Sequence, residues 1–260
     1  MREFNHLIIT GAPRSGTTAL AQLLGQQNRV FVMNEVGIYD DWENKYKWRN
    51  FINSKDWINF IANDIIFKSH GIDLYDFREL VLINKFSGED IFEWLHNTLD
   101  VDIIGDKCPI TYLQNMLVFK NKFPNAKFII VVRDGRDVIA SQIRSYYKWP
   151  PGSLDHADHW MKPTIKLAQS VWLDINKLTV VRLNQIDPSR LFFFRYEDAV
   201  KDTKDFEVEI SKFLGVDICN VSDYFKSTNV GEWEKTHPNM MDELSKEFKD
   251  MLRYFNYVDI

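Results

Sequence analysis

The sequence predicts an α/β fold of three layers, a mainly parallel sheet flanked by helices on both faces. Three observations predict it. Short unbroken apolar runs recur along the chain, at Leu7-Ile8-Ile9-Thr10, Val30–Met33 and Phe128–Val132, as strands buried on both faces should. Segments with helical spacing separate them, as in Gly16–Gln27, where Leu20, Leu23 and Leu24 share one face. The first run leads directly into Gly11, the punctuation of a strand–turn–helix unit. Strands alternating with helices imply a parallel sheet.

Taken in order, the first run is β-like and the helix after it spans residues 16–27. Val30–Met33 is a second strand. Residues from about 39 to 100 are rich in tryptophan, phenylalanine and charge, with helical patterns near 55–68 and 88–99. Val101–Gly105 reads as a strand and Thr111–Phe123 as a helix, punctuated by Pro124-Asn125. Phe128–Val132 is the strongest strand, β-branched and uninterrupted, and a helix follows from Gly135 to about Tyr147. Trp149-Pro150-Pro151-Gly152 is a loop, 157–183 is mostly helical, Leu191–Arg195 is a strand, and 203–214 and 240–254 are helices.

The whole chain, 1–260, reads as one domain, with 36–100 and 148–190 as helical insertions. Hydrophobic residues are 45% and charged residues 27%, which excludes collagen-like and wholly disordered chains. Lysine plus arginine is 32 against 37 acidic residues, a net charge of −5, which argues against general nucleic-acid binding. Two cysteines, Cys108 and Cys219, exclude a disulfide framework and a four-cysteine zinc site. No run approaches the ~18 apolar residues of a membrane span. A soluble, cytoplasmic protein is expected, with no metal; the oligomeric state is not readable.

Ligands on such sheets sit at the carboxyl ends of strands, so chemistry is sought after Thr10, Met33, Val132 and Arg195. The first loop is Gly11-Ala12-Pro13-Arg14-Ser15-Gly16-Thr17-Thr18. N–H groups at a helix start, with the helix dipole behind them, form an anion site. Ser15, Thr17 and Thr18 add hydroxyls, Gly16 allows close approach, and Arg14 adds a fixed charge. The ATP-binding pattern G-x-x-x-x-G-K-[ST] is close, but Thr17 stands where it needs lysine. The plain alternative is a strand–turn–helix junction whose Ser and Thr cap the helix.

Pro13-Arg14-Ser15-Gly16-Thr17-Thr18 resembles the 5′-phosphosulfate loop of sulfotransferases that use 3′-phosphoadenosine 5′-phosphosulfate, PAPS. The resemblance implies a P-loop-like nucleotide-binding fold. A second segment, Arg133-Asp134-Gly135-Arg136-Asp137-Val138-Ile139-Ala140-Ser141, resembles the family's 3′-phosphate motif at Arg133, Asp137 and Ser141. A forked guanidinium and a hydroxyl converging on one phosphate suit it; a surface-charged helix start is the bland alternative. Phe194-Arg195-Tyr196-Glu197-Asp198 resembles the family's R-Y-E-D, which implies Tyr196 beside the adenine, where a planar ring suits stacking; core or rim packing of a strand-end tyrosine is the bland alternative. Val230-Gly231-Glu232-Trp233 resembles its V-G-x-W segment, and Leu252–Tyr257 its closing helix, with Ser227 expected near the nucleotide.

Gly105-Asp106-Lys107-Cys108-Pro109 resembles the N/D/E-K-x-P motif of members closer to the tyrosylprotein and bacterial branch, which makes Lys107 a second cation. Glu35, 21 positions after Arg14, matches that branch's glutamate base. A glutamate ionises near ~4.3 in water, so a useful base is expected to be partly desolvated; otherwise Glu35 caps a helix or pairs with an arginine. The histidine of cytosolic members is missing from Lys107-Cys108-Pro109, and His70, His96, His156, His159 and His237 lie outside any matching motif. Ala19 replaces the tryptophan that follows the loop in many cytosolic members.

The resemblance thus implies in-line transfer of a sulfuryl group from PAPS to a hydroxyl or amine, leaving 3′,5′-adenosine bisphosphate, PAP. Catalysis is expected from Glu35, Arg14 and Lys107. The nucleotide is expected on Arg14, Ser15, Gly16, Thr17, Thr18, Arg133, Ser141 and Tyr196. The acceptor, a small molecule, glycan, lipid or peptide, is expected on the 36–100 and 148–190 insertions. Two alternatives stay open: a nucleoside-triphosphate-dependent kinase, and a nucleotide-binding protein without catalysis.

Overall fold

The computed structural model describes residues 5–39, 64–148 and 163–257. Five strands, β1 (Asn5–Gly11), β2 (Val30–Asn34), β3 (Ile103–Lys107), β4 (Lys127–Val132) and β5 (Leu191–Arg195), form one sheet in the order β2-β3-β1-β4-β5. Every neighbouring pair is parallel. The fold is therefore α/β with an all-parallel sheet, more uniform than the mainly parallel sheet expected. The chain leaves β1 toward β2 and later crosses to β4 on its other side. That reversal opens a crevice above the end of β1, where ligands bind in such sheets.

The alternation of side chains along each strand builds two cores. Leu7, Ile9, Val32, Ile129 and Val131 face α1 (Thr17–Gly25) and a helix at Thr203–Leu214. Ile8, Phe31, Met33, Ile104, Phe128 and Ile130 face the other layer. That layer holds α2 (Asp64–Ser69), α3 (Leu74–Asn84), α4 (Gly88–Thr98), α5 (Thr111–Lys122), α6 (Gly135–Lys148) and α7 (Ile165–Leu183). Near-complete burial on both faces explains the unbroken apolar runs. Trp172 of α7 is fully buried and packs on Phe248, 4.7 Å between ring centres. A side chain of that size contributes roughly 1.5–3 kcal/mol by leaving water.

Several boundaries differ from the sequence expectation. The strand placed at Val101–Gly105 runs from Ile103 to Lys107, so Asp106 and Lys107 are strand residues. The first helix ends at Gly25, not Gln27. The expected helix over 157–183 is observed from Ile165; 157–162 lie outside the described residues, as do 55–63 of the pattern near 55–68. The helix expected over 240–254 is two, Met240–Glu243 and Lys246–Tyr254, because Ser245 takes the N-cap of the second and accepts from Phe248 N at 3.2 Å. α3 was not expected. Among the described residues no helix is long and apolar enough to cross a membrane.

Candidate active site

The turn after β1 is held open by its backbone. Arg14 has φ 68° and Gly16 φ 95°. A Cβ on Gly16 would stand 2.5 Å from Tyr196 Cδ2, so only glycine fits there. No side chain caps α1. Ser15 is buried with its Oγ unpartnered, which disposes of the plain alternative in which Ser and Thr cap the helix. The α1 N-terminus and an orphaned buried hydroxyl thus meet at one turn, a polar site shaped for an anion. Gly16→Ala is expected to cost about 1–3 kcal/mol and to weaken nucleotide binding, read from thermal melting and PAP titration.

Arg133 leaves the end of β4, and Ser141 lies on α6. Arg133 Nη1 donates to the Arg14 carbonyl at 3.0 Å, and Arg14 Nε donates to Ser141 Oγ at 3.2 Å. The two anion turns are therefore in contact. Arg133 is 5% exposed, and its Nε has no partner. Its Nη2 donates to the Asn229 carbonyl, and its guanidinium lies 4.9 Å from the centre of the Tyr196 ring. Asp137 neither caps its own helix nor pairs tightly with Arg133, whose Nη2 is 4.0 Å away. It accepts from Gly231 N at 2.8 Å and Trp233 N at 3.0 Å, tying the V-G-x-W segment to α6.

A third guanidinium completes the cluster. Arg144, one helical turn beyond Ser141, forms an ion pair with Glu232. The Arg14 guanidinium is held below its ordinary ionisation range, first by burial, then by repulsion from Arg133 and Arg144, with Glu35 opposing. Like charges brought close disfavour one another, and an added anion would relieve them. Sequence reasoning missed Arg144; its spacing from Ser141, i to i+3, was the available signal.

On the other side of the turn, Lys107 comes up from β3. Its side chain is fully buried, and Nζ donates to Thr18 Oγ1 at 3.0 Å and Glu35 Oε1 at 2.5 Å. The cation that Thr17 denies to the loop is therefore supplied by a neighbouring strand. Glu35 follows β2 with φ 58°, and its side chain is 46% exposed, open to an incoming molecule. Its hydrogen bond goes to Lys107, and its charge also favours the Arg14 guanidinium. Asp106, also missed, is fully buried, and burial pushes its carboxyl up to about 6 against bonds from Tyr112, Gly37, Ile38 and Val36.

Arg14, Ser15, Gly16, Thr18, Glu35, Lys107, Arg133 and Ser141 are thus brought together around the turn after β1. Thr17 is 2% exposed, beneath the turn. Tyr196 reaches the turn but differs from the expectation of a ring open to stacking. It is 2% exposed, wedged between Gly16 and Arg133, and its hydroxyl accepts from Lys226 N at 3.1 Å. The C-terminal segment arrives through Asn229, whose amide donates to Tyr196 Oη at 3.3 Å, while Ser227 is exposed. His70 and His237 make local bonds to Ser69 and Thr236. His156 and His159 lie outside the described residues.

Behind Arg133, Glu197 accepts from Asp134 N at 3.0 Å. Burial pushes its carboxyl up to about 7, with Asp134 N–H holding it back. Native Glu197 keeps its proton where the unfolded carboxylate has lost it, so its contribution to stability falls as pH rises between about 4.5 and 7. Glu197→Gln is expected to gain on the parent chain as pH rises through that window, read from melting midpoints at its two ends.

A sequence model described as the sulfotransferase family matches residues 6–220. No curated protein matches the chain. Among solved structures, a sulfotransferase domain from the curacin biosynthetic pathway superposes with a TM-score of 0.67 at 18% identity, covering 99% of each chain. A sulfotransferase domain of the Synechococcus olefin synthase gives 0.67 at 19% identity, over 99% of this chain and 97% of that one. A mouse sulfotransferase complexed with PAP gives 0.50 at 15% identity, over 96% and 85%. These likenesses support the fold; the family model covers most of the chain, including 11–18 and 133–141. The chain belongs to the sulfotransferase family.

Proposed function

We propose that this chain moves a sulfuryl group from PAPS to a hydroxyl or amine acceptor. The observation that carries the proposal is the contact between the two anion turns, Arg133 Nη1 to the Arg14 carbonyl and Arg14 Nε to Ser141 Oγ. A molecule with phosphate at both its 5′ and 3′ ends suits two adjoining turns of this kind. PAP, bound to the mouse sulfotransferase, is such a molecule and is what transfer from PAPS leaves. The orphaned Ser15 Oγ and Arg133 Nε fit the same reading.

In this reading the 5′ end lies on Arg14, Ser15, Gly16, Thr17 and Thr18, and the 3′-phosphate on Arg133 and Ser141, with Arg144 beside them. Tyr196 serves from behind, holding Gly16 and Arg133. Glu35 takes the proton of the acceptor O–H or N–H as that atom attacks sulfur. The bond from sulfur to the bridging oxygen breaks, and its electron pair leaves with the phosphate. Arg14 and Lys107 meet that growing charge, the term expected to dominate such transfers. Lys107 has three N–H donors, and Thr18 and Glu35 occupy two.

Acceptor choice is assigned to 36–100, which follows Glu35 in the chain, and to 148–190, which follows the helix bearing Ser141, within one domain over 1–260. Two cysteines in 260 residues, Cys108 and Cys219, support a reducing, cytoplasmic setting. Incubation with radiolabelled PAPS across panels of phenols, sugars, lipids and peptides is expected to label an acceptor. No PAP binding at millimolar concentration would end the proposal. Magnesium-dependent ATP turnover without PAPS turnover would favour a kinase, and PAP binding without transfer a non-catalytic protein.

A further inference from the structure

Five consecutive backbone N–H groups, from Glu35 to Tyr39, are taken by one short stretch of the chain around the end of β3. Glu35 N donates to the Lys107 carbonyl at 2.6 Å. Val36 N donates to Asp106 Oδ1 at 3.3 Å, and Gly37 N and Ile38 N to Oδ2 at 2.7 and 3.3 Å. Tyr39 N donates to Tyr112 Oη at 3.3 Å, and that hydroxyl donates to Asp106 Oδ2 at 2.5 Å. Successive N–H groups that converge in this way make an anion cradle. Here the anion is internal: Asp106 and Tyr112 are both fully buried, so no solute competes for it.

The cradle has a purpose at its first residue. Glu35 is held at φ 58°, a conformation costing about 1–3 kcal/mol that survives only where its surroundings enforce it. Its carboxylate is half-exposed and hydrogen-bonds to Lys107, the residue after Asp106. One dipeptide therefore grips the turn from beneath through Asp106 and meets its side chain in front through Lys107. We infer that Asp106 and Tyr112 are positioning residues for transfer, clamping the 35–39 turn so that the Glu35 carboxylate is presented beside Lys107. The bonds Asp106 and Tyr112 make to the 35–39 turn, with that of Asp106 to Lys107 N, put them beside Glu35, so they are expected to act on turnover more than on nucleotide affinity. The inference rests on the proposed role of Glu35 as base.

Steady-state kinetics and PAP titration of Tyr112→Phe and Asp106→Asn, each alone and combined with Glu35→Gln, test it. Tyr112→Phe removes one hydroxyl and keeps the ring against Tyr39 and Phe119, so it remains informative if Asp106→Asn does not fold. The expected result is a fall in kcat of about 10–100-fold, since a misplaced catalytic group costs that much. PAP affinity and the KM for PAPS should stay within about twofold, and in the Glu35→Gln background the further loss should be below about twofold. An unchanged kcat in Tyr112→Phe would overturn the inference alone. So would the full loss repeated in the Glu35→Gln background, or a parallel loss of PAP affinity. Wild-type turnover by Glu35→Gln itself would instead overturn the base assignment, and this inference with it.

Discussion

Replacing Arg14 with alanine is expected to abolish measurable transfer, lowering kcat/KM by about 10³-fold or more. Three properties of the site set that magnitude. Arg14 lies on the turn that opens α1, so its charge adds to the N–H groups and dipole already there. Its guanidinium also donates to Ser141 Oγ, so its loss removes one of the two bonds between these segments and leaves the one from Arg133 to the Arg14 carbonyl. Finally, its surroundings are already crowded with the positive charge of Arg133 and Arg144. A cation held under repulsion is relieved most when negative charge grows nearby, which is what the transition state of transfer supplies. Arg14→Lys should recover part of the loss, because the charge returns without the fork. Comparison of kcat/KM for the three proteins with any labelled acceptor measures this. Wild-type turnover by Arg14→Ala would remove Arg14 from the chemistry.

Glu35→Gln should behave differently. PAP affinity is expected to stay within a few-fold, while kcat falls by about 10²–10⁴, the range general-base help supplies. The separation follows from geometry. The glutamine keeps an oxygen for Lys107 Nζ and a similar volume, so the buried lysine retains a partner. It has no lone pair basic enough to accept the acceptor's proton. The turns bearing Arg14 and Arg133 are joined through Arg133, Ser141 and Tyr196, contacts in which Glu35 takes no part. Single-turnover rates with bound PAPS, set beside calorimetric PAP affinities, separate the two effects. An unchanged rate would assign the base elsewhere.

Local features were legible in the sequence, and long-range ones were not. β1, the glycine turn and α1 are contiguous, and each is dictated by its own residues. Arg133 and Ser141 were legible because a strand end and two helical turns fix their separation. α3 was hidden: Leu74, Phe77 and Val81 form a buried stripe, but exposed Tyr75 and Ile83 on the outer face blur its period. The break at Leu244-Ser245 was missed because a single N-capping serine decides it. The pairing of Glu35 with Lys107 spans 72 residues, and Asp106 serves a turn some 70 positions away. Only the sheet order, which sets β2 beside β3, brings them together. For Tyr196 the packed position was the bland alternative to stacking, and the ring is buried because the lack of a Cβ on Gly16 admits it.

Calorimetric titration of the unmodified protein with PAP and with 5′-AMP asks whether the second turn holds a 3′-phosphate. The two ligands differ by the 3′-phosphate alone, and the second anion turn exists in this account to hold it. PAP should bind about 10²-fold more tightly than 5′-AMP, the worth of charge-assisted bonds to one phosphate, and Arg133→Ala should erase most of that difference. Equal affinities for the two nucleotides in the unmodified protein would contradict the account.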